Sequence, residues 1–161
     1  MKKAVYIESS VVSYLTARPS RDLVIAGHQA STAEWWQEYR DQYEVFISPL
    51  VVEEISAGDP TAVAERLMAV DGIASLSISE EAEAIAEALL RAKAVPANSS
   101  RDALHIAISA TQGIDYLLTW NFKHINNAST RILVTNVVSK FGLVCAVLCS
   151  PEELIGEDDA K

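Results

Sequence analysis

The strongest constraint on the fold is an alternation of short apolar runs with segments of helical periodicity. The runs are Ala4-Val5-Tyr6-Ile7, Glu44-Val45-Phe46-Ile47, residues 72–78, Asp115-Tyr116-Leu117-Leu118-Thr119 and residues 143–148. Strands this uniformly apolar are buried on both faces, and their alternation with helices is the pattern of a parallel sheet covered on each side. Between the runs the chain supplies helix signals. Ser20 caps a helix over residues 21–40 with Asp22 in its first turn, and Ser48-Pro49 opens one that Gly58 closes. Further helices are expected over residues 11–15, from Asp59-Pro60 to about residue 70, from Ser79 to Pro96, from Ser99 or Ser100 to residue 112, and over 130–141.

The chain has 161 residues, half of them hydrophobic, 22% charged, with 6 Gly and 5 Pro. That length buries a sizeable core, and that composition excludes disordered and collagenous classes. A single domain over residues 1–151 followed by an acidic tail over 152–161 is expected. Lys2-Lys3 leads into only a short apolar run and no stretch reaches membrane-spanning length, so the expected location is cytoplasmic, with no membrane partner. Cys145 and Cys149 would lie ~13 Å apart along a strand, too far to bridge, and are expected as reduced thiols.

The formal charge of −9 excludes a generic basic nucleic-acid binder. The charge is uneven, however. Glu80, Glu81, Glu83 and Glu87 sit on one helix, and the last ten residues hold five acids and one lysine. Residues 1–31 set Lys2, Lys3, Arg18 and Arg21 against Glu8 and Asp22, a local positive excess.

In open parallel sheets, ligands bind beyond the carboxyl ends of the strands where the winding reverses. Glu8 follows the first strand, Asn121 follows the fourth, and Asp102 opens the helix before the fourth. Glu54 joins them through helical phase. Leu50, Val51, Val52 and Ile55 define an apolar arc centred roughly 70° from Glu54 but roughly 170° from Glu53, so Glu53 should face solvent while Glu54 sits at a buried margin. A carboxylate there is costly unless a cation pairs with it, and a metal ion is one such cation. Each residue also has a structural explanation: Glu8 as a turn residue, Glu54 as a solvated helix acid, Asn121 as a loop former. Asp102 can serve as the partner of Ser99 in a capping box.

The segments Val-Tyr-Ile-Glu8-Ser-Ser-Val-Val, Ser48-Pro-Leu-Val-Val-Glu-Glu54-Ile, Ser-Arg-Asp102-Ala-Leu-His-Ile-Ala and Leu-Leu-Thr119-Trp-Asn121-Phe, in this order and spacing, resemble the PIN domain, the nuclease fold of VapC-like toxins. The resemblance covers about residues 4–153. It implies a three-layer α/β/α sandwich with a central parallel sheet and a magnesium- or manganese-dependent site that cleaves RNA. It places the family's acids on Glu8, Glu54, Asp102 and Asn121, the first three as metal ligands. Two positions depart from the commonest pattern. Glutamate at 8 is longer by a methylene, and asparagine at 121 offers a carbonyl oxygen but no charge, which makes a second ion doubtful. The resemblance further implies a small antitoxin partner and a homodimer, with Tyr14, Trp35 and Trp36 available to an interface or to the core.

Phosphodiester hydrolysis needs an activated water, a polarised phosphoryl oxygen and charge relief at the leaving oxygen, all of which bound divalent ions supply. Ser9 or Thr119 is expected to support the site through its hydroxyl. His105, one turn after Asp102, is either a partner to the site or a satisfied core histidine; His28 and His124 have no partner at ligand spacing. Trp120, Phe122 and Lys123 either meet a base and a phosphate or pack and solvate. No Ser-His-Asp order or Gly-rich phosphate loop is present, and Cys145 has no nearby base. The competing classes are a catalytically weakened module that binds protein or RNA, and a phosphatase or DNA nuclease using the same ions.

Overall fold

A computed structural model describes residues 1–156. Its strands are β1 (Lys3–Ile7), β2 (Tyr43–Ile47), β3 (Ala74–Ser75), β4 (Tyr116–Leu118) and β5 (Val147–Cys149). They form one sheet in the order β3-β2-β1-β4-β5, and every pairing is parallel. Around it lie α1 (Ser9–Thr16), α2 (Leu23–Glu34), α3 (Pro49–Ile55), α4 (Pro60–Ala69), α5 (Glu80–Arg91), α6 (Ser100–Thr111) and α7 (Arg131–Ser139). The architecture is the three-layer α/β/α sandwich with a central parallel sheet. Val5, Tyr6, Ile7, Leu117 and Leu118 are fully buried at its centre, as continuous apolar strands require.

The strand order fixes where chemistry can sit. From β1 the chain winds outward to β2 and β3, then crosses back to place β4 on the other side of β1, so the winding reverses between β1 and β4. The carboxyl ends of these two strands meet there: the Glu8 amide donates to the Leu118 carbonyl at 3.0 Å. Polar residues just past both strands share the crevice that this topology opens.

Several elements differ from the sequence expectation for local reasons. The expected strand over 72–78 pairs only at Ala74 and Ser75, because β2 ends at Ile47 where Ser48 turns the chain into α3. The last strand likewise begins at Val147 rather than 143, because β4 offers partners only over Tyr116–Leu118. Cys145 therefore precedes the strand, and both cysteines are free. The helix expected over 21–40 is α-helical only to Glu34 and continues as a π-helical segment over Trp35–Tyr39 and a 3-10 turn over Arg40–Gln42. Trp35 is fully buried there, while Arg40 lies 4.5 Å over the ring of Trp36. The sequence reading left Trp35 open to an interface or to the core; its burial puts it in the core. Residues 152–154, expected in the acidic tail, lie in a 3-10 turn over Pro151–Leu154 that Ser150 and Glu153 close with a reciprocal capping box. The expected tail over 157–161 lies outside the described residues. Among the described residues no helix is long and apolar enough to cross a membrane.

Candidate metal centre

Glu8 is the first residue past β1 and the N-cap of α1. Its side chain is 6% exposed and carries three hydrogen bonds. Oε2 accepts from the Ser10 amide at 3.0 Å, and Oε1 accepts from the hydroxyls of Ser10 at 2.5 Å and Thr119 at 2.6 Å. The cap and the site are thus the same carboxylate. Thr119, one residue past β4, is the hydroxyl support expected there, and its Oγ1 also accepts the Asn121 amide at 2.9 Å.

Glu54 reaches the same place from α3. Ser48 caps that helix, with Pro49 in its first turn. The helical phase holds: the Glu53 side chain is 64% exposed and pairs with Arg101 at 2.8 Å, whereas Glu54 is 22% exposed and turns inward. Its Oε1 accepts from the Ser9 hydroxyl at 2.6 Å and from His105 Nε2 at 2.5 Å, and its Oε2 receives no hydrogen bond among the described residues. Burial pushes the Glu54 carboxyl up, but the bonds from His105 and Ser9 and the charges of His105 and Arg101 outweigh it and hold the group below the usual glutamate value.

His105 is fully buried on α6, and both its ring nitrogens are engaged. Nδ1 lies 2.7 Å from the Tyr6 hydroxyl, which lies 2.8 Å from Ser48 Oγ. Burial, reinforced by the charges of Glu8 and Glu54 against the bond from Ser48, raises the Tyr6 phenol well above its ordinary value, so it remains an O–H donor. The network is continuous: Nε2–H donates to Glu54, Nδ1 meets the Tyr6 hydroxyl, that hydroxyl meets Ser48 Oγ, and Ser48 Oγ accepts the Val51 amide of the helix it caps. The circuit ties the start of α3 to Glu54 near its end.

Asp102 is not used as a cap. Ser99 makes no side-chain capping bond, and the two Asp102 oxygens accept from Asn121 Nδ2 at 3.2 Å and His124 Nδ1 at 3.0 Å. The Asn121 carbonyl oxygen accepts the His124 amide at 2.9 Å. Asp102 is therefore linked to Glu8 through Asn121 and Thr119, while Glu54 stands outside that chain of hydrogen bonds. The tightest ligand group differs in membership: atoms of Glu8, Glu54 and His105 lie within 4.8 Å of one another, and Asp102 is not part of that group. Both nitrogens of His105 are taken up by Glu54 and Tyr6, so in this arrangement the donors open to a divalent ion are carboxylate oxygens, the free Oε2 of Glu54 among them, with His105 orienting Glu54.

Sequence reasoning missed His124, whose partner Asp102 is 22 residues away, and Tyr6 and Ser48. The signal for Tyr6 was present: two residues before Glu8 on a strand, it points to the same face. Asp115 lies at the opposite end of β4, accepting from the Ala4 amide at 2.8 Å. Trp120 packs rather than projecting, 6% exposed with Nε1 bonded to Thr32 Oγ1 at 2.8 Å, while Phe122 is 42% exposed. The sequence matches no protein-family model and no curated protein.

Proposed function

We propose that the chain is a divalent-metal-dependent endoribonuclease of the PIN type, acting as the toxin of a toxin-antitoxin pair. The observation that carries this reading is the convergence of Glu8, Glu54 and His105 within 4.8 Å at the sheet's switch point, with Asp102 and Asn121 on the adjoining edge. In it, Glu8 and Glu54 hold magnesium or manganese with Asp102 as the further acid, a small antitoxin covers the site and two copies associate. The bound ion would polarise the phosphoryl oxygen, supply hydroxide near neutral pH and balance charge on the leaving oxygen.

The chain's own residues do the positioning. His105 and Ser9 fix one oxygen of Glu54 and present the other. Ser10 and Thr119 orient Glu8, and His124 and Asn121 hold Asp102 from two sides. Carboxylates held in this way, with Glu54 keeping one oxygen anchored and one presented, are what a rigid ligand set needs.

The test is cleavage of labelled structured RNA by the pure protein with Mg²⁺ or Mn²⁺, against EDTA and against Glu54→Ala. Divalent-dependent cleavage leaving 5′-phosphate and 3′-hydroxyl ends, lost in the variant, is expected. Cleavage that survives EDTA, or a Glu54→Ala protein as active as wild type, overturns the reading.

A further inference from the structure

A groove of about 530 Å³ runs between α1 and the start of α2. Ser10, Ser13, Tyr14 and Ala17 line one wall at the i, i+3, i+4, i+7 spacing of a single helical face, and Ile25 and Gln29 line the other at i, i+4. The groove begins at the candidate metal centre, because Ser10 is the residue whose hydroxyl donates to Glu8 at 2.5 Å. It ends at Arg18. The far end is preformed: Gln29 Oε1 accepts the Ser20 amide and its Nε2 donates to the Arg18 carbonyl, each at 2.9 Å.

Its chemistry is unlike the surface at large. In a chain of charge −9, no acid lines this groove, while Arg18 does. Arg18 also lines a neighbouring groove with Asp59 and Glu65, yet it forms no ion pair with either. The hydroxyls of Ser13 and Tyr14 make no hydrogen bond among the described residues. The Tyr14 ring packs at steep angles against His28 at 6.1 Å and Trp120 at 6.0 Å, and these contacts support it as a wall of the groove. An aromatic and an aliphatic side chain facing each other, free hydroxyls and a guanidinium at one end describe a slot for a nucleotide rather than for an apolar helix.

We propose that this groove holds one nucleotide of single-stranded RNA next to the scissile phosphate, its base between Tyr14 and Ile25 and its phosphate on Arg18. The inference rests on the nuclease reading for the identity of the strand. α1 spans 8 residues, roughly 12 Å at the helical rise, so Arg18 stands one or two nucleotides from Glu8.

The test is fluorescence anisotropy with a short fluorescein-labelled oligoribonucleotide of mixed sequence, in Mn²⁺ and in EDTA, on the full chain. Tyr14→Ala and Arg18→Gln should each weaken binding about tenfold, as loss of one stacking surface or one charged contact does. Arg18→Gln should also lower the slope of log affinity against log salt by about 0.7, the value for one phosphate contact on a single strand, whereas Tyr14→Ala leaves the slope alone. Unchanged affinity and slope in folded variants overturn the proposal and leave the groove to a protein partner. Should Tyr14→Ala fail to fold, the Arg18→Gln slope decides. Because the EDTA arm reads binding without cleavage, a Glu54→Ala protein as active as wild type overturns the metal-centre reading and not the groove.

Discussion

Glu54 Oε1 lies 2.5 Å from Nε2 of His105, and with the Ser9 hydroxyl at 2.6 Å this oxygen is saturated while its twin is free. A glutamate has three rotatable bonds, so an unrestrained one spreads its carboxylate over many positions. His105 removes that freedom from a fully buried station whose other nitrogen is fixed by Tyr6. The helix bearing Glu54, the strand leading to Glu8 and the helix bearing Asp102 are thereby locked together through one imidazole.

Replacing His105 by Ala should weaken Mn²⁺ binding by about 10- to 100-fold, the usual cost of losing a group that orients a metal ligand. His105→Gln retains a donor toward Glu54 and should recover part of the loss. Isothermal titration with Mn²⁺ in the absence of RNA measures both. A Gln variant no better than Ala would show that the imidazole binds the ion itself.

Asn121→Asp sets a second carboxylate where the amide now donates to Asp102 at 3.2 Å. Two anions at that distance repel until a cation arrives. The variant should melt at a lower temperature than wild type in EDTA and show a larger Mn²⁺-induced rise in Tm. Differential scanning fluorimetry with and without Mn²⁺ checks the pair of shifts. Equal rises in the two proteins would place residue 121 outside the ion's reach.

The folded protein holds Glu54 below its ordinary value, so the group favours the folded state when ionised. That contribution is fully present above pH 4.5, the unfolded value, and is lost as pH falls through the depressed folded value. Glu54→Gln lacks this dependence. Urea unfolding of wild type and Glu54→Gln at neutral pH and at steps below 4.5 should show wild type losing stability more steeply in the acid range. Parallel curves for the two would contradict the assignment.

Local patterns made much of this legible, and contacts distant in sequence made the rest opaque. The phase separating Glu53 from Glu54 is written in six consecutive residues, and the structure follows it. The strand positions of Glu8 and Asn121 follow from apolar runs that stop abruptly. By contrast, β3 and β5 are trimmed by the lengths of β2 and β4, which no reading of residues 72–78 or 143–148 contains. His105 looked like a core residue and is one; that it also holds Glu54 depends on α3 and α6 meeting across 51 residues of chain. The capping box at Ser99 and Asp102 had the right spelling but not the outcome, because Asn121 and His124 draw the Asp102 carboxylate away.

Trp120 ties the site to α2. Its indole N–H donates to Thr32 Oγ1 at 2.8 Å, and Thr32 is fully buried. Thr32→Val conserves shape but removes that acceptor, leaving the indole N–H unsatisfied in the interior at a cost of about 1–3 kcal/mol. Thr32→Ser keeps the oxygen and should lose much less. The effect should also reach the centre, because the Trp120 amide donates to Ser10 Oγ at 2.9 Å and Ser10 in turn donates to Glu8. Urea denaturation gives the stability difference, and Mn²⁺ titration of Thr32→Val should show weaker binding than Thr32→Ser. If the valine variant binds Mn²⁺ as wild type does, Trp120 serves the fold alone and the line from α2 to Glu8 carries no coupling.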